Sequence, residues 1–270
     1  MGLTRHLLAA VRVVRALGHV LRGLWTIHRT FHRLTPGERQ RQVQAWSLQM
    51  LQTMGVSLRT GGVPPANGPL LVVANHISWL DILVLNAVRP ARFVSKADVK
   101  HWPLLGTLIT GAGTLYIERT SRRDAMRVVH HMVEALREGD VLAVFPEGTT
   151  GDGRELLPFH ANVLQAPIAA PAPVQAVALA YLDAATGQRS DAPTYIGDTT
   201  LLASLWRTFS SPPLVASVQW AEPELSQGRD RRAWAQDLRT GIGVMAQTLV
   251  TSPHTITPRA PAPAAARRAV

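Results

Sequence analysis

The sequence predicts an α/β fold: a mixed, largely parallel sheet flanked by helices and preceded by an N-terminal amphipathic two-helix motif. From residue 56 onward, short runs rich in β-branched residues alternate with helical segments, a spacing typical of strand–helix units. Before residue 56, apolar and basic residues recur with the period of a helix. The chain has 270 residues, of which 46% are hydrophobic, so it can bury one sizeable core.

The first predicted helix covers residues 3–29. At about 100° per residue, six basic residues share roughly one third of its circumference and seven apolar residues occupy the opposite side. They are Arg5, Arg12, Arg15, His19, Arg22 and Arg29 against Leu3, Leu7, Val14, Leu17, Leu21, Leu24 and Trp25. The arginines interrupt the run of about 20 apolar residues that a bilayer span needs, and the pattern of a signal peptide is not evident.

We therefore expect this first helix to lie in a membrane interface, with its basic residues toward the lipid headgroups. The alternative is a helix that packs on the protein's own core and leaves a solvated basic face. A second helix is predicted over 35–54, because Thr35 suits the N-cap and Pro36 the first turn. Gly55 then ends it, so residues 1–55 form a helical membrane-association motif.

The main domain is predicted to span residues 56–251. Its expected strands are 56–60, 69–74, 91–95, 114–118, 141–145, 174–182 and 214–221, and its expected helices are 78–87, 102–110, 122–137 and 229–250. Residues 252–270 are rich in proline and alanine and basic, a composition that predicts a disordered tail.

Charge and cysteine content narrow the function. A net charge of +10 favours an anionic partner: nucleic acid, a phosphate-bearing substrate or an anionic membrane surface. Nucleic acid is disfavoured, because the positive charge concentrates on one helix and no stretch interleaves basic with aromatic residues. The absence of cysteine excludes disulfides and thiolate catalysis. No metal site is expected, since His130 and His131 are adjacent in a helix and point apart.

The stretch NHISWLD, residues 75–81, follows a buried strand and opens a helix. Ser78 can cap that helix with Asp81 at capping-box spacing, and helical side chains lean toward the N-terminus, so Asp81 points back toward His76. A carboxylate beside an imidazole fixes the tautomer and makes the other ring nitrogen a better base. Taken alone, the stretch fits a capped turn without chemistry equally well.

The stretch FPEGTT, residues 145–150, also follows a buried strand. Its glycine and two hydroxyls can present backbone N–H groups to an anion. Glu147 beside them could orient a hydroxyl of a polyol or hold the turn. The alternative is an ordinary turn, which proline and glycine both favour.

Basic residues follow two further predicted strands. The stretch GTLYIER, residues 113–119, ends in Arg119, whose guanidinium can grip a phosphate with two hydrogen bonds. Arg122 and Arg123 fit a solvated helix start instead. Lys96 and Lys100 follow the strand over 91–95, and Lys96 is nearer the strand end and so nearer the predicted site.

NHISWLD, GTLYIER and FPEGTT in this order resemble the glycerolipid acyltransferase family, whose best-known members acylate lysophosphatidic acid. The resemblance covers about residues 65–185, with weaker agreement over the N-terminal helices and residues 195–198. It implies that the main domain is an acyltransferase domain. It also implies a peripheral or monotopic position on the cytoplasmic face of the inner membrane.

The resemblance implies a role for each matched residue. His76 is expected to act as general base on the acceptor hydroxyl and Asp81 to orient it. The alkoxide then attacks an acyl thioester carried by coenzyme A or acyl carrier protein, which is a co-substrate, so no cofactor is expected. Arg119 and the segment 147–149 are expected to bind the glycerol phosphate, with Lys96 as a further substrate-binding residue. A positioned base is typically worth about 10²–10⁴-fold in rate.

Two departures from the family pattern concern the acceptor. Thr150, a further substrate-binding candidate, stands where many lysophosphatidic acid enzymes carry arginine, and His160 replaces the lysine of a later motif. The stretch FPEGTTGDG is similar to relatives that acylate lyso-ornithine lipid, whose acceptor lacks the phosphate. The expected acceptor is the sn-2 hydroxyl of 1-acyl-glycerol-3-phosphate, with lyso-ornithine lipid or another lysolipid as the alternative. A non-catalytic lipid-binding protein is the alternative of another class.

Overall fold

A computed structural model of the chain describes residues 2–64, 66–117 and 122–251. Its strands are β1 (Val56–Gly61), β2 (Leu70–Ala74), β3 (Arg92–Lys96), β4 (Leu115–Ile117), β5 (Val141–Val144), β6 (Val174–Asp183) and β7 (Leu214–Trp220). They form one seven-stranded sheet in the order β1-β7-β6-β2-β5-β3-β4. Each neighbouring pair is parallel except β6 and β7, which are antiparallel. The predicted mixed, largely parallel sheet is confirmed.

Helices cover both faces of this sheet. They are α1 (Gly2–Thr30), α2 (Pro36–Met54), α3 (Leu80–Val88), α4 (Leu105–Gly111), α5 (Arg122–Arg137), α6 (Gln165–Ala169), α7 (Leu201–Phe209) and α8 (Arg231–Thr251). Short 3-10 helices cover Phe31–Arg33, Ala97–His101 and Ala161–Leu164. One buried cluster joins the sheet to α1, α2, α3 and α7, and the other joins it to α5, α6 and α8.

The central strands are buried on both faces, which explains their sequence. In β2, Leu70 and Val72 pack into one cluster while Leu71 and Val73 pack into the other. A strand covered on both sides reads as a continuous apolar run and not as an alternating one. Polar groups that do chemistry therefore have to come from the ends of these strands.

The ends of α2 are those that the sequence predicts. The Thr35 hydroxyl accepts from the Glu38 amide, and the Glu38 carboxylate accepts from the Thr35 amide at 2.9 Å, which completes a capping box. At the other end Gly55 adopts the left-handed conformation, with φ of 79°.

Two predicted helix starts are wrong, and one helix was missed. Helix α3 begins at Leu80 and not at 78, and α4 begins at Leu105 and not at 102, because Leu104 before it has a positive φ of 63°. Helix α7 was not predicted, since it is short and lies between segments rich in turn residues. The predicted tail, 252–270, and Arg119 lie outside the described residues.

The orientation of α1 differs from the predicted one in part. Its described apolar side faces solvent at Leu7, Val14, Leu17, Leu21 and Trp25. Arg12, expected to face lipid headgroups, is only 8% exposed. Its guanidinium donates to the carbonyl oxygens of Phe209 at 2.9 Å and Ser211 at 3.0 Å. A helical wheel separates the two sides of a helix but does not tell which of them packs. Over the described ranges, none of the helices combines the length and apolarity needed to cross a membrane.

Candidate active site

The candidate site lies at the carboxyl edge of the parallel strands. NHISWLD follows β2 and FPEGTT follows β5, and these two strands are direct neighbours. Two hydrogen bonds join the stretches: the His76 amide donates to Glu147 Oε1 at 2.7 Å, and the Gly151 amide donates to the His76 carbonyl at 2.8 Å. Lys96 ends the next strand, β3, where it is exposed. Arg119 lies two positions beyond Ile117, the last described residue of β4.

His76 and Asp81 form the contact that the sequence predicts. His76 Nδ1 lies 2.8 Å from Asp81 Oδ2, and the Asp81 side chain is completely buried. The same oxygen accepts from the amides of Ile77 at 2.7 Å and Ser78 at 2.9 Å. Because a carboxylate only accepts, Nδ1 carries the proton and Nε2 is left with the basic lone pair.

Tyr181, on β6, completes the shell around Asp81. Its hydroxyl donates to Asp81 Oδ1 at 2.6 Å, and its side chain is almost fully buried. Burial first, and then the charge of Asp81, raise the pKa of the Tyr181 phenol well above its ordinary value, so it stays a donor. Sequence reasoning missed this residue. The signal was available, because a phenol in an otherwise apolar buried strand needs a partner.

The imidazole ring of His76 is fixed by stacking and partly open to solvent. It lies parallel to the Phe145 ring, with the centroids 3.9 Å apart and the planes at 7°, and Phe145 in turn stacks on Phe93 at 5.7 Å. The His76 side chain is 18% exposed. Its Nε2 makes no hydrogen bond to the part of the chain that the structure describes. A base in this position can take a proton from a hydroxyl group that approaches from outside.

Glu147 holds the turn, the second of the two roles that its sequence allowed. Its side chain is buried, Oε1 accepts from the His76 amide, and Oε2 accepts from the Leu157 amide at 2.8 Å. Burial raises the pKa of the Glu147 carboxyl, and these two amide bonds oppose that effect. Both oxygens are thus engaged inside the protein, and one of them fixes the backbone of His76.

The three residues after Glu147 in FPEGTT differ in exposure and in their hydrogen bonds. Gly148 has a φ of 71°, in the left-handed region that favours glycine, and Thr149 is exposed. The Thr150 hydroxyl donates to the Tyr195 carbonyl. Thr149 is thus the outward residue of this loop, whereas Glu147 and Thr150 bond inward and the Gly148 amide donates to the Phe145 carbonyl at 3.0 Å.

Neighbouring segments anchor the NHISWLD turn on two further sides. The Asn75 amide bridges to β6, with Nδ2 3.1 Å from the Leu179 carbonyl and Oδ1 2.8 Å from the Leu179 amide. Trp79 Nε1 donates to Ser204 Oγ on α7 at 3.0 Å. The turn that carries His76 is thus held by the sheet and by α7 together.

An apolar cavity of about 210 Å³ lies beside the site, between α1, α2, α3 and α4. Phe93 lines it, and Phe93 also touches the ring that stacks on His76. Its other apolar lining side chains are Ile27, Val43, Trp46, Ile82, Leu83, Leu105, Leu108 and Ile109, and His19, Arg22 and Asn86 are among the polar ones. This cavity suits an apolar chain whose reactive end lies near His76.

Comparisons with known proteins agree with the motifs. A family model described as Acyltransferase matches residues 55–180. The chain is 39% identical over 210 residues to the 1-acyl-sn-glycerol-3-phosphate acyltransferase of Neisseria gonorrhoeae. The aligned region covers 77% of this chain and 81% of that relative. It is 36% identical over 208 residues to the lyso-ornithine lipid O-acyltransferase of Pseudomonas aeruginosa, with 76% and 78% covered.

A solved structure shares the fold. The crystal structure of the 1-acyl-sn-glycerophosphate acyltransferase PlsC from Thermotoga maritima matches with a TM-score of 0.63 and 17% identity. The match covers 88% of this chain and 97% of the other. At this identity the likeness shows the architecture alone.

Proposed function

Because the chain belongs to the glycerolipid acyltransferase family, we propose that it acylates the sn-2 hydroxyl of 1-acyl-glycerol-3-phosphate at a membrane surface, giving phosphatidic acid. The acyl donor is a thioester of coenzyme A or acyl carrier protein. The observation that carries this proposal is the 2.8 Å contact between His76 Nδ1 and a buried carboxylate, which leaves Nε2 as a base at the carboxyl edge of the sheet. Ligands of open α/β sheets bind at this edge.

In the proposed reaction, His76 Nε2 takes the proton of the acceptor hydroxyl as its oxygen attacks the thioester carbonyl. Asp81 stabilises the imidazolium that forms, and the buried hydrogen bonds to Asp81 keep it in place. The tetrahedral intermediate then collapses, the carbon–sulfur bond breaks, and the imidazolium returns its proton to the leaving thiolate. The products are the ester and the free thiol, so no other reactant is needed. General-base help of this kind is worth about 10²–10⁴-fold.

The phosphate of the acceptor is proposed to bind along the same edge. Lys96 is exposed at the end of β3, and Thr149 is exposed in the loop after β5, next to Gly148. Arg119 follows β4 in sequence, the strand beside β3. The apolar cavity is proposed to receive the acyl chain of the donor, because a fatty chain requires an apolar site close to the reacting carbonyl.

The exposed apolar side of α1 supports attachment to a membrane. A monomer rarely leaves a contiguous apolar strip of this kind in water, and exposed arginines border it at positions 15, 22 and 29. A helix with an apolar face and basic flanks binds the interface of an anionic bilayer. We propose that the protein binds in this way to the cytoplasmic face of the inner membrane.

Acylation of lyso-ornithine lipid is the second candidate. The Thr150 hydroxyl, at the position where many lysophosphatidic acid enzymes carry arginine, donates to the carbonyl of Tyr195. The position thus offers no cation to a phosphate. The relative from Pseudomonas aeruginosa, named for that acceptor, is almost as similar as the one from Neisseria gonorrhoeae.

An acyl-transfer assay on the purified full chain tests the proposal. Lysophosphatidic acid and lyso-ornithine lipid are offered separately, each with acyl-CoA and with acyl-acyl carrier protein. We expect transfer to lysophosphatidic acid, and a loss of about 10²-fold or more in His76→Ala. His130→Ala is the matched control, because that side chain is exposed on α5, where it pairs with Glu134. Wild-type turnover by a folded His76→Ala variant would contradict the mechanism, and faster turnover of lyso-ornithine lipid would favour the second candidate.

A further inference from the structure

Helix α7 presents two large apolar side chains to solvent. Leu202 is 78% exposed and Trp206 is 45% exposed, and they lie four residues apart on one face. The opposite face carries Ser204 and Thr208, which are buried. Ile196, just before the helix, is 42% exposed. Among the described residues this face is covered only in part, and a bulky apolar side turned outward is typical of a surface that binds a partner.

This face is continuous with the exposed apolar strip of α1. The Trp206 ring stacks on the His6 ring, with centroids 6.0 Å apart and planes at 11°. Leu7 and Leu8, next to His6, are themselves exposed. Arg5 donates to the Ser210 carbonyl, so the end of α7 is also tied to α1 by a hydrogen bond. The two helices therefore form one surface.

The chemistry of this surface fits a lipid interface better than water or a protein core. Tryptophan prefers the boundary between headgroups and acyl chains, where an apolar ring and a polar N–H are both satisfied. The segment 196–209 carries a single carboxylate, Asp198, whereas the adjoining surface of α1 is bordered by exposed arginines. Anionic lipid headgroups match that charge.

We propose that Ile196, Leu202 and Trp206 form a second membrane contact, which enters the interface of an anionic bilayer beside α1. The inference rests on the proposed membrane attachment through α1 and adds a separate element to it.

The consequence of this second contact for the reaction follows from two hydrogen bonds. The Tyr195 amide donates to the Ile77 carbonyl at 3.1 Å, and Trp79 bonds to Ser204.

These bonds place the second contact directly against the turn that carries His76. Membrane contact at α7 would therefore hold the turn that carries His76 close to the bilayer. The surface thus determines how the catalytic edge faces the membrane, in addition to whether the protein binds to it.

Single-cysteine labelling tests the inference, because the chain contains no cysteine. Leu202→Cys is labelled with an environment-sensitive fluorophore and mixed with vesicles of phosphatidylcholine and phosphatidylglycerol. Leu21→Cys reports on the α1 strip. Val244→Cys is the matched control, because it is 63% exposed on α8, across the sheet. We expect a blue shift on vesicle addition at positions 21 and 202 and none at 244.

The outcomes separate this inference from the proposed function. A blue shift at 21 without one at 202 overturns the second contact and leaves attachment through α1 standing. No shift at either position overturns both. A blue shift at 202 that grows with protein concentration and needs no vesicles shows that a second copy of the chain covers the surface, and it overturns the inference as well.

A partition measurement gives the size of the effect. Leu202→Asp should lower the vesicle partition coefficient on the order of tenfold, because a leucine side chain is withdrawn from the apolar zone and a carboxylate put in its place. Val244→Asp should leave the coefficient within about twofold of wild type, since scattered surface changes have small effects. Equal partitioning of Leu202→Asp and wild type would contradict the proposal.

Discussion

At the level of single residues, four hydrogen-bond donors converge on the Asp81 carboxylate: the imidazole of His76, the hydroxyl of Tyr181 and two backbone amides. Such a network defines the position of each member more closely than a pair does. A carboxylate held from several sides cannot rotate away from the imidazole, so Nε2 keeps one direction. The Glu147 carboxylate acts similarly on the backbone, because it accepts from the His76 amide.

Tyr181→Phe tests whether this network matters for turnover. The substitution keeps the ring and removes the donor to a buried carboxylate oxygen, which costs about 1–3 kcal/mol of unfolding free energy. We expect kcat to fall about tenfold, equivalent to ~1.4 kcal/mol of barrier. An unchanged kcat with lower stability alone would make Tyr181 purely structural.

The pH dependence of stability gives a second measurement on the same variant. The pKa of the Tyr181 phenol is raised in the folded state by burial, so the folded state binds its proton more tightly than the unfolded state. The resulting stability is fully present below the ordinary value of about 10 and is lost as the pH rises toward the raised value. The difference in unfolding free energy between wild type and Tyr181→Phe should be constant up to about pH 10 and decline only above it.

The sequence predicts the pairing of His76 with Asp81 because five residues at a strand-to-helix turn determine it locally. It does not predict Tyr181, which lies 100 positions away and meets Asp81 only because β6 pairs with β2. Glu147 shows the same limit. The sequence allows Glu147 to orient a substrate hydroxyl or to hold the turn. Its burial and the two backbone amides that donate to it show that it holds the turn.

At the level of elements, capping residues predict helix ends well where the cap is local. Thr35 and Gly55 bound α2 as expected, and Glu38 completes the N-terminal cap. Helix α7 was missed although its apolar side chains recur at helical spacing, because its nine residues are fewer than the window over which such a period is recognised. Its stability comes from contacts with α1 and with Trp79, which are tertiary.

The apolar cavity between α1, α2, α3 and α4 gives a prediction for these elements. Leu108→Trp places a larger ring in the proposed site of the acyl chain. We expect kcat/KM for long-chain donors to fall on the order of tenfold, since overpacking costs about 1–3 kcal/mol, while short-chain donors are affected less. Leu108→Met, of similar volume, is the control. An equal loss for donors of every chain length would contradict the assignment of the cavity to the acyl chain.

At the level of the whole molecule, the N-terminal helices and the sheet share one core. Ala16 of α1 and Met50, Leu51 and Met54 of α2 belong to the same buried cluster as the strands. The composition change near residue 55 therefore marks a change of secondary structure inside a continuous packing unit. Packing α1 through its small residues and Arg12 leaves the apolar side exposed, as an interfacial helix requires, so the expected orientation of the helix is wrong only for Arg12.

That orientation leads to a prediction about charge. Arg15, Arg22 and Arg29 border the exposed apolar strip, and each basic residue near an anionic surface contributes about 1 kcal/mol. The triple variant Arg15→Gln, Arg22→Gln and Arg29→Gln should bind vesicles containing phosphatidylglycerol on the order of 100-fold more weakly. Salt should weaken the binding of wild type more than that of the variant, because part of the contribution that screening removes is already gone. Binding to pure phosphatidylcholine, which depends on the apolar strip, should be similar for both proteins. Equal salt dependence of the two proteins on anionic vesicles would show that these arginines do not face the lipid.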